Sequence, residues 1–508
     1  MRQYLLVGLL VATAFVHGCG DKGTESRPKP PSAVIDLSAG WETNSSLTLT
    51  WTAPGVQWRD PAVSFCDVRY ALAPITTANW ASATRAIDQQ GAHPPPENPD
   101  TYTVTGLSPF TTYYFAMETA GEDSAWSAMS NVASARTLHR AQKIYGGPWT
   151  DSALAVAPTA DGGCIIVGCT LPPAGERPQV CVIKTDASGD IIWDKVYAHS
   201  EQSIGRAMTP TTDGGYVVVG TTQLWSTWGM HDVYVIKIDE AGTLLWERTF
   251  GESYVDEGNG VAPTEDGGVV VTGETWTDDG RCRVFVVRID AVGNKVWEQR
   301  FSNGYNWSNR GNAVTRSGDG GFVVAGYTGT ASYSIYHKEL YLLKTDGSGN
   351  LQWEHKFGST GGDEGFAVIP APDDGFVVAG KAGSRMYLLK VDASGNRVSE
   401  WSYERFFLQG AACIAAIPSG VEYLVGGYLY VPATAGIPGH YDIYLVKTSG
   451  GGVWTRDFAW GGPNDDAASG ICHLADGGYM VVGTTNSYGT GGPNIYLMKI
   501  DENGDFWE

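Results

Sequence analysis

A unit of about fifty residues recurs from residue 139 to the end of the chain. In its clearest copy, an acidic entry at Asp256 leads through the turn Asp266–Gly268 into the apolar run Val269–Val271, which Gly273 closes. Each copy holds four short β-prone runs separated by turn signals, which predicts four-stranded sheets around an axis, a β-propeller. The closing glycines are Gly168, Gly220, Gly273, Gly326, Gly380, Gly427 and Gly483.

Glycine supplies 66 of the 508 residues, and the turns of the repeat explain much of that excess. Tight hairpins need positive φ, which glycine adopts without strain. Most copies carry Asp-Gly-Gly after the first strand, whereas copy five has Asp373–Gly375 and copy six has lost most of the signal. A basic residue two positions before an acidic one, as in Lys184 and Asp186, precedes the second turn. Because residues two apart share a strand face, we expect such pairs to bridge.

The two ends of the repeat region complement each other. The last copy stops at Trp507, where the other copies begin a fourth strand, and Ala141–Gly146 has the pattern of that strand. We therefore predict a seven-bladed propeller over residues 139–508, closed by an N-terminal strand that completes the last blade and hides an open edge.

Tryptophans follow the second turn at a nearly constant offset. The segment Asp186–Trp193 resembles the tryptophan-docking motif of quinoprotein-like propellers, and the whole unit resembles the SBBP type of bacterial β-propeller repeat. These resemblances imply indoles packed between blades and carry little information about function. The structural tryptophans expected are Trp193, Trp246, Trp297 and Trp353, with Trp454 and Trp507 at similar offsets.

Residues 32–138 show a different pattern, of short β-prone segments such as Ser46–Trp51 and Thr101–Thr105. The segment Gly106–Tyr113 resembles the tyrosine corner of fibronectin type III domains, in which a buried phenol hydrogen-bonds to the chain a few residues upstream. The resemblance implies a β-sandwich that acts as a spacer or interaction unit, with Tyr113 as the corner residue.

The start of the chain has the features of an export signal. A basic residue precedes the apolar run Tyr4–Val16, which is too short to span a membrane. Residues 16–19 resemble the bacterial lipoprotein signal, although His17 stands where a small residue is usual. The resemblance implies residues 1–19 as a signal ending at the lipid-modified Cys19, a Pro-rich tether over residues 20–31, and a lipoprotein at the outer membrane or cell surface. The open alternative is an ordinary cleaved signal and a secreted protein.

The net charge bears on the class of ligand, and the cysteine pattern bears on metal binding and disulfides. The net charge of −21 disfavours nucleic acid and anionic membrane surfaces as ligands. None of the cysteines after Cys19 has metal-ligand spacing, and most lie in apolar strand patterns, so we expect buried thiols. Cys169 and Cys181 lie on consecutive strands, and their pairing depends on a register that the sequence leaves open.

One face of the predicted propeller carries the long connections between strands, and these are rich in aromatic residues. Exposed aromatic rings offer flat, amphipathic contact area to a sugar or a peptide surface. The open alternative is that they pack down on the blades. The ligand-face candidates are Trp149, Trp225, Trp228, Tyr254, Trp276, Trp307, Tyr333, Tyr336, Tyr428, Tyr430 and Tyr488.

Polar residues at matched positions precede the innermost strands on the same face. Converging carboxylates there can bind Ca²⁺, whereas an acidic residue at a strand entry also hydrogen-bonds to local backbone amides. We expect no other cofactor. The acidic members are Asp151, Asp256, Asp363 and Asp466.

The sequence contains no HExxH, GxSxG or P-loop motif. We therefore favour a non-catalytic, monomeric, surface-anchored protein that presents the aromatic face to a glycan or a protein. Two alternatives stay open: a scaffold subunit of an envelope complex, and a propeller hydrolase or lyase acting on polysaccharide, since a glycosidase needs only two suitably spaced carboxylates.

Overall fold

The computed structural model of the chain describes residues 30–507, except 41–42, 55–62, 64, 91–96, 122–124, 140, 148–149, 172–176, 199–201, 224–230, 252–253, 303–307, 333–334, 359–361, 404–408, 419–421, 434–437, 450–451 and 490–491. Over these ranges the protein is all-β apart from one 3-10 turn, Trp80–Ser82. No helix in the described ranges is long and apolar enough to cross a membrane. Cys19 and residues 20–29 lie outside them.

The N-terminal strands form two sheets, with strand orders β1-β2-β5 and β4-β3-β6-β7, and β3 pairs antiparallel with both β4 and β6. Tyr113 is buried, and its hydroxyl oxygen accepts the backbone N–H of Ser108 at 2.9 Å, five residues upstream. This is the hydrogen bond that the tyrosine-corner pattern implied. The strands are β1 (Ser38–Gly40), β2 (Ser46–Thr52), β3 (Phe65–Ala71), β4 (Thr84–Gln90), β5 (Pro99–Thr105), β6 (Thr112–Ala120) and β7 (Ala133–Arg136).

The repeat region belongs to the larger of two compact units into which the chain divides, and its described residues form seven four-stranded sheets. Sheets 1 to 3 are β9–β12 (Thr150–Pro158, Cys164–Leu171, Gln179–Thr185, Ile191–Tyr197), β13–β16 (Gln202–Pro210, Tyr216–Gln223, His231–Ile238, Leu244–Phe250) and β17–β20 (Asp256–Pro263, Val269–Trp276, Cys282–Ile289, Lys295–Phe301). Sheets 4 to 6 are β21–β24 (Ser308–Arg316, Phe322–Ser332, Ile335–Thr345, Leu351–Phe357), β25–β28 (Glu364–Pro370, Phe376–Ala382, Arg385–Val391, Arg397–Tyr403) and β29–β32 (Gln409–Ala416, Tyr423–Val431, His440–Thr448, Trp454–Trp460).

Sheet 7 draws its strands from both ends of the repeat region. It consists of β33 (Asp466–His473), β34 (Tyr479–Thr485), β35 (Asn494–Ile500) and β8 (Gln142–Tyr145). The last two pair antiparallel, with Tyr145 opposite Ile495 and Gln142 opposite Met498. The pairing predicted from the pattern of residues 141–146 is therefore confirmed.

The first strands of the seven sheets contact one another in sequence, from β9 to β33, and β33 in turn contacts β9. At that junction the hydroxyl of Ser469 donates to the carbonyl of Ala153 at 2.6 Å. Because the contacts return to their start, the sheets surround a common axis, and the repeat region is a β-propeller.

The core lies between successive sheets. One cluster combines Val217, Val219 and Val235 of sheet 2 with Val271 and Phe285 of sheet 3, all at most 1% exposed. The second and third strands of a sheet pack on both neighbours, which explains their nearly continuous apolar runs. Each fully buried valine or leucine side chain contributes about 1.5–3 kcal/mol.

The basic residues before the second turn do not bridge as we predicted. Lys184 contacts Asp161 of the first turn at 3.0 Å, and Lys237 contacts Asp213 at 2.7 Å. The carboxylate of Asp186 instead accepts the backbone N–H groups of Ser188 and Asp190, at 2.8 and 2.9 Å. A carboxylate at the first position of a tight turn is held by amides further along that turn. The prediction failed because it considered strand faces and not this local competition.

Tryptophan docking links neighbouring sheets, as the sequence resemblance implied. The indole N–H of Trp246 donates to Ala291 O at 3.2 Å, that of Trp297 to Gly347 O at 3.2 Å, and that of Trp353 to Ala393 O at 3.1 Å. A Cβ placed on Gly242 would lie 2.9 Å from the ring of Trp193. Only glycine allows so close a contact at that turn.

The docking position changes in sheets 5 and 6. A Cβ on Gly452 would lie 2.3 Å from Trp401, and one on Gly504 would lie 2.3 Å from Phe458. Trp454, which the offset suggested for sheet 6, is instead 45% exposed. In sheet 4 the docked Trp353 lies opposite the basic residue Lys344. The docked rings of sheets 5 and 6 stand two residues beyond that position along β28 and β32, on the same strand face.

The register separates the two cysteines whose pairing the sequence left open. Cys181 lies opposite Gly168, and Cys169 lies opposite Val180. Since neighbouring positions on a strand project from opposite faces, the two thiols point away from each other. Both are free, and Cys169 shares a 3.1 Å contact with the hydroxyl of Ser152.

Candidate functional site

We call the side of the propeller at which the first strands begin and the second strands end the entry face. Five of the predicted aromatic residues lie outside the described ranges, and Tyr336 is described only as part of β23. Of the others, Tyr254 and Trp276 are 41% and 39% exposed, and the backbone N–H of Trp276 donates to Val255 O at 3.0 Å. The five outside are Trp149, Trp225, Trp228, Trp307 and Tyr333.

The side chain of Tyr488 packs down on the sheets. Its ring stacks on Tyr496 at 5.9 Å, and its hydroxyl donates to Gly461 O at 2.8 Å. Both ends of the side chain therefore contact the propeller itself.

Tyr428 and Tyr430 form a cluster with Tyr441, a residue that no sequence pattern predicted. Tyr441 meets Tyr428 edge to face at 5.5 Å and Tyr430 at 5.4 Å. Tyr428 lies over Gly410, where a Cβ would stand 2.7 Å from its hydroxyl. Tyr441 is opposite Tyr430 in the pairing of β30 with β31, so strand register was the signal that could have found it.

A pocket of about 310 Å³ opens beside this cluster, between sheets 6 and 7. Asp465 is fixed there, since its carboxylate accepts the N–H of Tyr441 at 2.9 Å and its carbonyl accepts the N–H of Asn486 at 2.9 Å. The pocket therefore combines an aromatic wall with carboxylate, amide and hydroxyl groups, a combination typical of small-ligand sites. Its lining is Tyr428, Tyr441, Asp465, Asp466, Ala467, Thr484 and Asn486.

The acidic residues at the strand entries are buried and bonded to nearby backbone. Asp151 accepts the N–H of Gly147 at 3.2 Å, Asp363 that of Gly383 at 3.0 Å, and Asp466 that of Gly462 at 2.9 Å. These are the contacts of a residue that stabilises its own strand entry. Asp256 is also fully buried. Among the described residues, no group of three or more His, Cys, Asp or Glu side chains converges as metal ligands.

Two entry carboxylates face a second carboxylate from the preceding sheet. A Cβ on Gly251 would lie 2.6 Å from Asp256 and 2.7 Å from Asp232. A Cβ on Gly461 would lie within 2.8 Å of both Asp442 and Asp466. Burial, reinforced by the charge of Asp466, raises the pKa of Asp442 to about 6, and burial also raises the pKa of Asp232. Each pair therefore resists carrying two full negative charges.

Every first strand carries a β-bulge near the entry face. In β13, for example, the pairing with β14 passes from Gly205 to Ala207, so that Arg206 has no residue opposite it on β14. Such bulges redirect a side chain away from the regular pleat. We call these seven unpaired residues, all of them half-buried, the bulge ring. They are Leu154, Arg206, Asn259, Asn312, Phe366, Ala412 and Ser469.

No family model and no curated protein matches this sequence. Solved structures with a similar chain course share little identity. Sqt1 from Chaetomium thermophilum is 14% identical over 69% of this chain and 96% of its own, with a TM-score of 0.41. YCF48 bound to D1 peptide is 12% identical over 72% and 97%, with a TM-score of 0.41. A NanB sialidase from Streptococcus pneumoniae is 8% identical over 94% of both chains, with a TM-score of 0.42. Values this low carry no conclusion about function.

Proposed function

We propose that the protein is a non-catalytic binding protein whose entry face takes a glycan or protein ligand. The observation that carries this proposal is the pocket between sheets 6 and 7, where the rings of Tyr428 and Tyr441 stand beside the fixed carboxylate of Asp465 and the amide of Asn486. Its volume is at the lower end for small-ligand sites, which suits one sugar residue or one side chain of a protein.

The rest of the proposed architecture presents this face to the environment. The seven sheets are the blades of one propeller closed by β8, and residues 32–138 are a fibronectin type III-like spacer. Lipid on Cys19 and the tether over residues 20–31 anchor the chain to the outer membrane or cell surface. Mass spectrometry of the mature N-terminal peptide tests the anchor, because a plain cleaved terminus would leave a secreted protein instead.

Binding to a glycan array and to envelope protein fractions tests the main proposal, with the mature protein as probe. For any ligand detected, we expect Tyr441→Ala or Asn486→Ala to weaken binding about tenfold or more, because an aromatic contact or a buried hydrogen bond contributes about 1–2 kcal/mol. Trp454→Ala, at an exposed aromatic residue that begins β32 outside the pocket, is the control. Unchanged affinity in both pocket variants would place the ligand elsewhere.

A polysaccharide hydrolase is the second candidate, favoured by two carboxylates, Asp465 and Asp466, in the lining of one pocket. Product analysis with any glycan that binds separates the two functions. A hydrolase would release shorter products and lose turnover in Asp465→Asn, whereas a binding protein returns the glycan intact. If no glycan binds and envelope proteins co-purify, the protein is a scaffold subunit.

Calcium is a separate proposal that concerns the entry carboxylates. If Asp151, Asp256, Asp363 and Asp466 bind Ca²⁺, millimolar Ca²⁺ should raise the thermal midpoint and Mg²⁺ should not. An unchanged midpoint would leave them as strand-entry residues.

A further inference from the structure

The bulge ring is chemically uneven, although the backbone is the same in every sheet. Sheets 2, 3 and 4 place Arg206, Asn259 and Asn312 there, whereas sheets 1 and 5 place Leu154 and Phe366. Residues that serve the repeated architecture recur in each copy. Ser469 of sheet 7 is also polar, but its hydroxyl is bonded to Ala153 O. The polar sector of sheets 2 to 4 therefore points to a role specific to one side of the axis.

Two guanidinium groups in this sector share the same acceptors. Arg206 lies 3.1 Å from the Oε2 atom of Glu257, and Arg310 lies 3.2 Å from that same atom. The amide oxygen of Asn259 accepts from both, at 3.2 and 2.9 Å. One carboxylate oxygen and one amide oxygen thus serve two cations, each with five N–H donors.

The donors exceed the acceptors that the protein supplies. The Nε atoms of Arg206 and Arg310 are buried and have no hydrogen-bond partner in the described structure. The nearest further carboxylate, Glu274, stands 3.7 Å from Arg310, beyond hydrogen-bond reach. Burial lowers the pKa of Arg206, with Arg310 adding to the effect, and burial raises the pKa of Glu274. The two arginines and two glutamates balance in formal charge, but buried guanidinium N–H groups remain without an acceptor.

In sheets 4 and 5, cations outnumber the carboxylates that pair with them. Lys338 and Lys381 share one carboxylate, Glu364, at 2.8 and 3.1 Å. Lys338 also stands 3.8 Å from the centre of the Tyr327 ring. The sector, which we call the cationic arc, thus sets four cations against three carboxylates in a chain whose net charge is −21. It comprises Arg206, Glu257, Glu274, Arg310, Lys338, Glu364 and Lys381.

We propose that the cationic arc binds the carboxylate of a sugar acid, so that the glycan recognised at the entry face carries an acidic residue. This inference rests on the proposed glycan-binding function and names its ligand class. A carboxylate offers two acceptor oxygens to the terminal N–H groups of Arg206 and Arg310, whose side chains are 28% and 25% exposed, and guanidinium groups recognise carboxylates well. The strongly negative chain repels a dense polyanion. A glycan with isolated carboxylates, rather than a sulfated or phosphorylated polymer, is the ligand that fits both facts.

Calorimetric titration of the mature protein with D-galacturonate tests the proposal, and D-galactose is the neutral probe of the same size. We expect galacturonate to bind at least tenfold more tightly than galactose, with an affinity that falls as salt rises. Arg206→Gln and Arg310→Gln should each remove most of that difference. Arg316→Gln is the matched control, because Arg316 lies at the other end of β21 and pairs with Glu265.

A variant expected to bind more tightly separates loss of the site from misfolding, because a misfolded protein would not gain affinity. Glu274→Gln removes a competing negative charge, and we expect it to bind galacturonate two- to threefold more tightly. Equal binding of the two sugars, with dependence on Tyr441, would overturn the cationic arc as a site and leave the proposed function intact. Binding of glutarate or of a Gly-Glu-Gly peptide in place of galacturonate would overturn the sugar acid and indicate an acidic protein ligand. Absence of all carboxylate binding would overturn the inference outright.

Discussion

Tyr145 tests whether β8 closes the propeller in solution. The residue is 7% exposed, it belongs to a core cluster with Ile166 and Leu497, and its hydroxyl donates to Gly189 O at 2.5 Å. Replacing a large buried aromatic residue by alanine costs about 3–5 kcal/mol, since the cavity collapses only in part. The hydrogen bond alone contributes about 1 kcal/mol. We therefore expect Tyr145→Ala to lower the free energy of unfolding by about 3–5 kcal/mol and Tyr145→Phe by about 1 kcal/mol.

The matched control is Tyr197, which occupies the equivalent place at the end of β12. It is 8% exposed, and its hydroxyl donates to Gly242 O at 2.6 Å. Urea unfolding followed by circular dichroism measures both variants, with the midpoint read at an unchanged m-value. If β8 completes sheet 7, Tyr145→Ala and Tyr197→Ala should have similar effects. A loss below about 1 kcal/mol for Tyr145→Ala, beside a large loss for Tyr197→Ala, would refute the closure.

Two further predictions concern the contacts between sheets. Trp353→Phe removes the indole N–H that bonds Ala393 O and should lower the free energy of unfolding by about 1–2 kcal/mol, whereas Trp454→Phe, at an exposed site, should change it by less than about 0.5 kcal/mol. Equal effects in urea unfolding would contradict the docking assignment. The pKa of Asp442 is raised to about 6, so the folded protein favours the protonated carboxyl. Its contribution to the free energy of unfolding is complete in acid and is lost as pH rises through about 6. Asp442→Asn should therefore raise stability by about 1–2 kcal/mol at pH 7 and leave it unchanged at pH 4, and a loss at pH 7 would exclude the charge repulsion.

Much of the fold follows from residues whose effect is local. Gly162 and Gly214 adopt positive φ in the Asp-Gly-Gly turns, as their sequence requires. The pattern of Ala141–Gly146 located β8, because a strand with one buried face keeps its alternation wherever it pairs. The corner hydrogen bond of Tyr113 also depends on a short segment, and it too was predictable.

Side-chain contacts that depend on strand register, or on competition between hydrogen-bond partners, were not predictable from the sequence. Lys184 bonds Asp161 across a hairpin and not the nearer Asp186, because turn amides had already taken that carboxylate. Tyr441 joins the pocket through its pairing with Tyr430. The separation of Cys169 from Cys181 is likewise a matter of one residue of register.

The candidate site was predictable only as a face of the propeller. The residues of the proposed carboxylate site come together from different sheets, and Arg206 and Arg310, which share Glu257, are 104 residues apart in the chain. No local pattern marks Arg206 as unpaired, since a bulge is visible only once both strands are in place.

At most strand positions one side chain affects both stability and function, and a bulge allows the two to be separated. A side chain in a regular strand must suit its cross-strand neighbour, so changing it alters stability as well as function. The residue left over at a bulge has no such neighbour, and here leucine, arginine, asparagine, phenylalanine, alanine and serine all occupy it. Apart from side-chain contacts such as that of Arg206 with Asn259, these seven positions around one axis stand outside the ladders. A new specificity can therefore arise there by single substitutions while every ladder hydrogen bond stays in place.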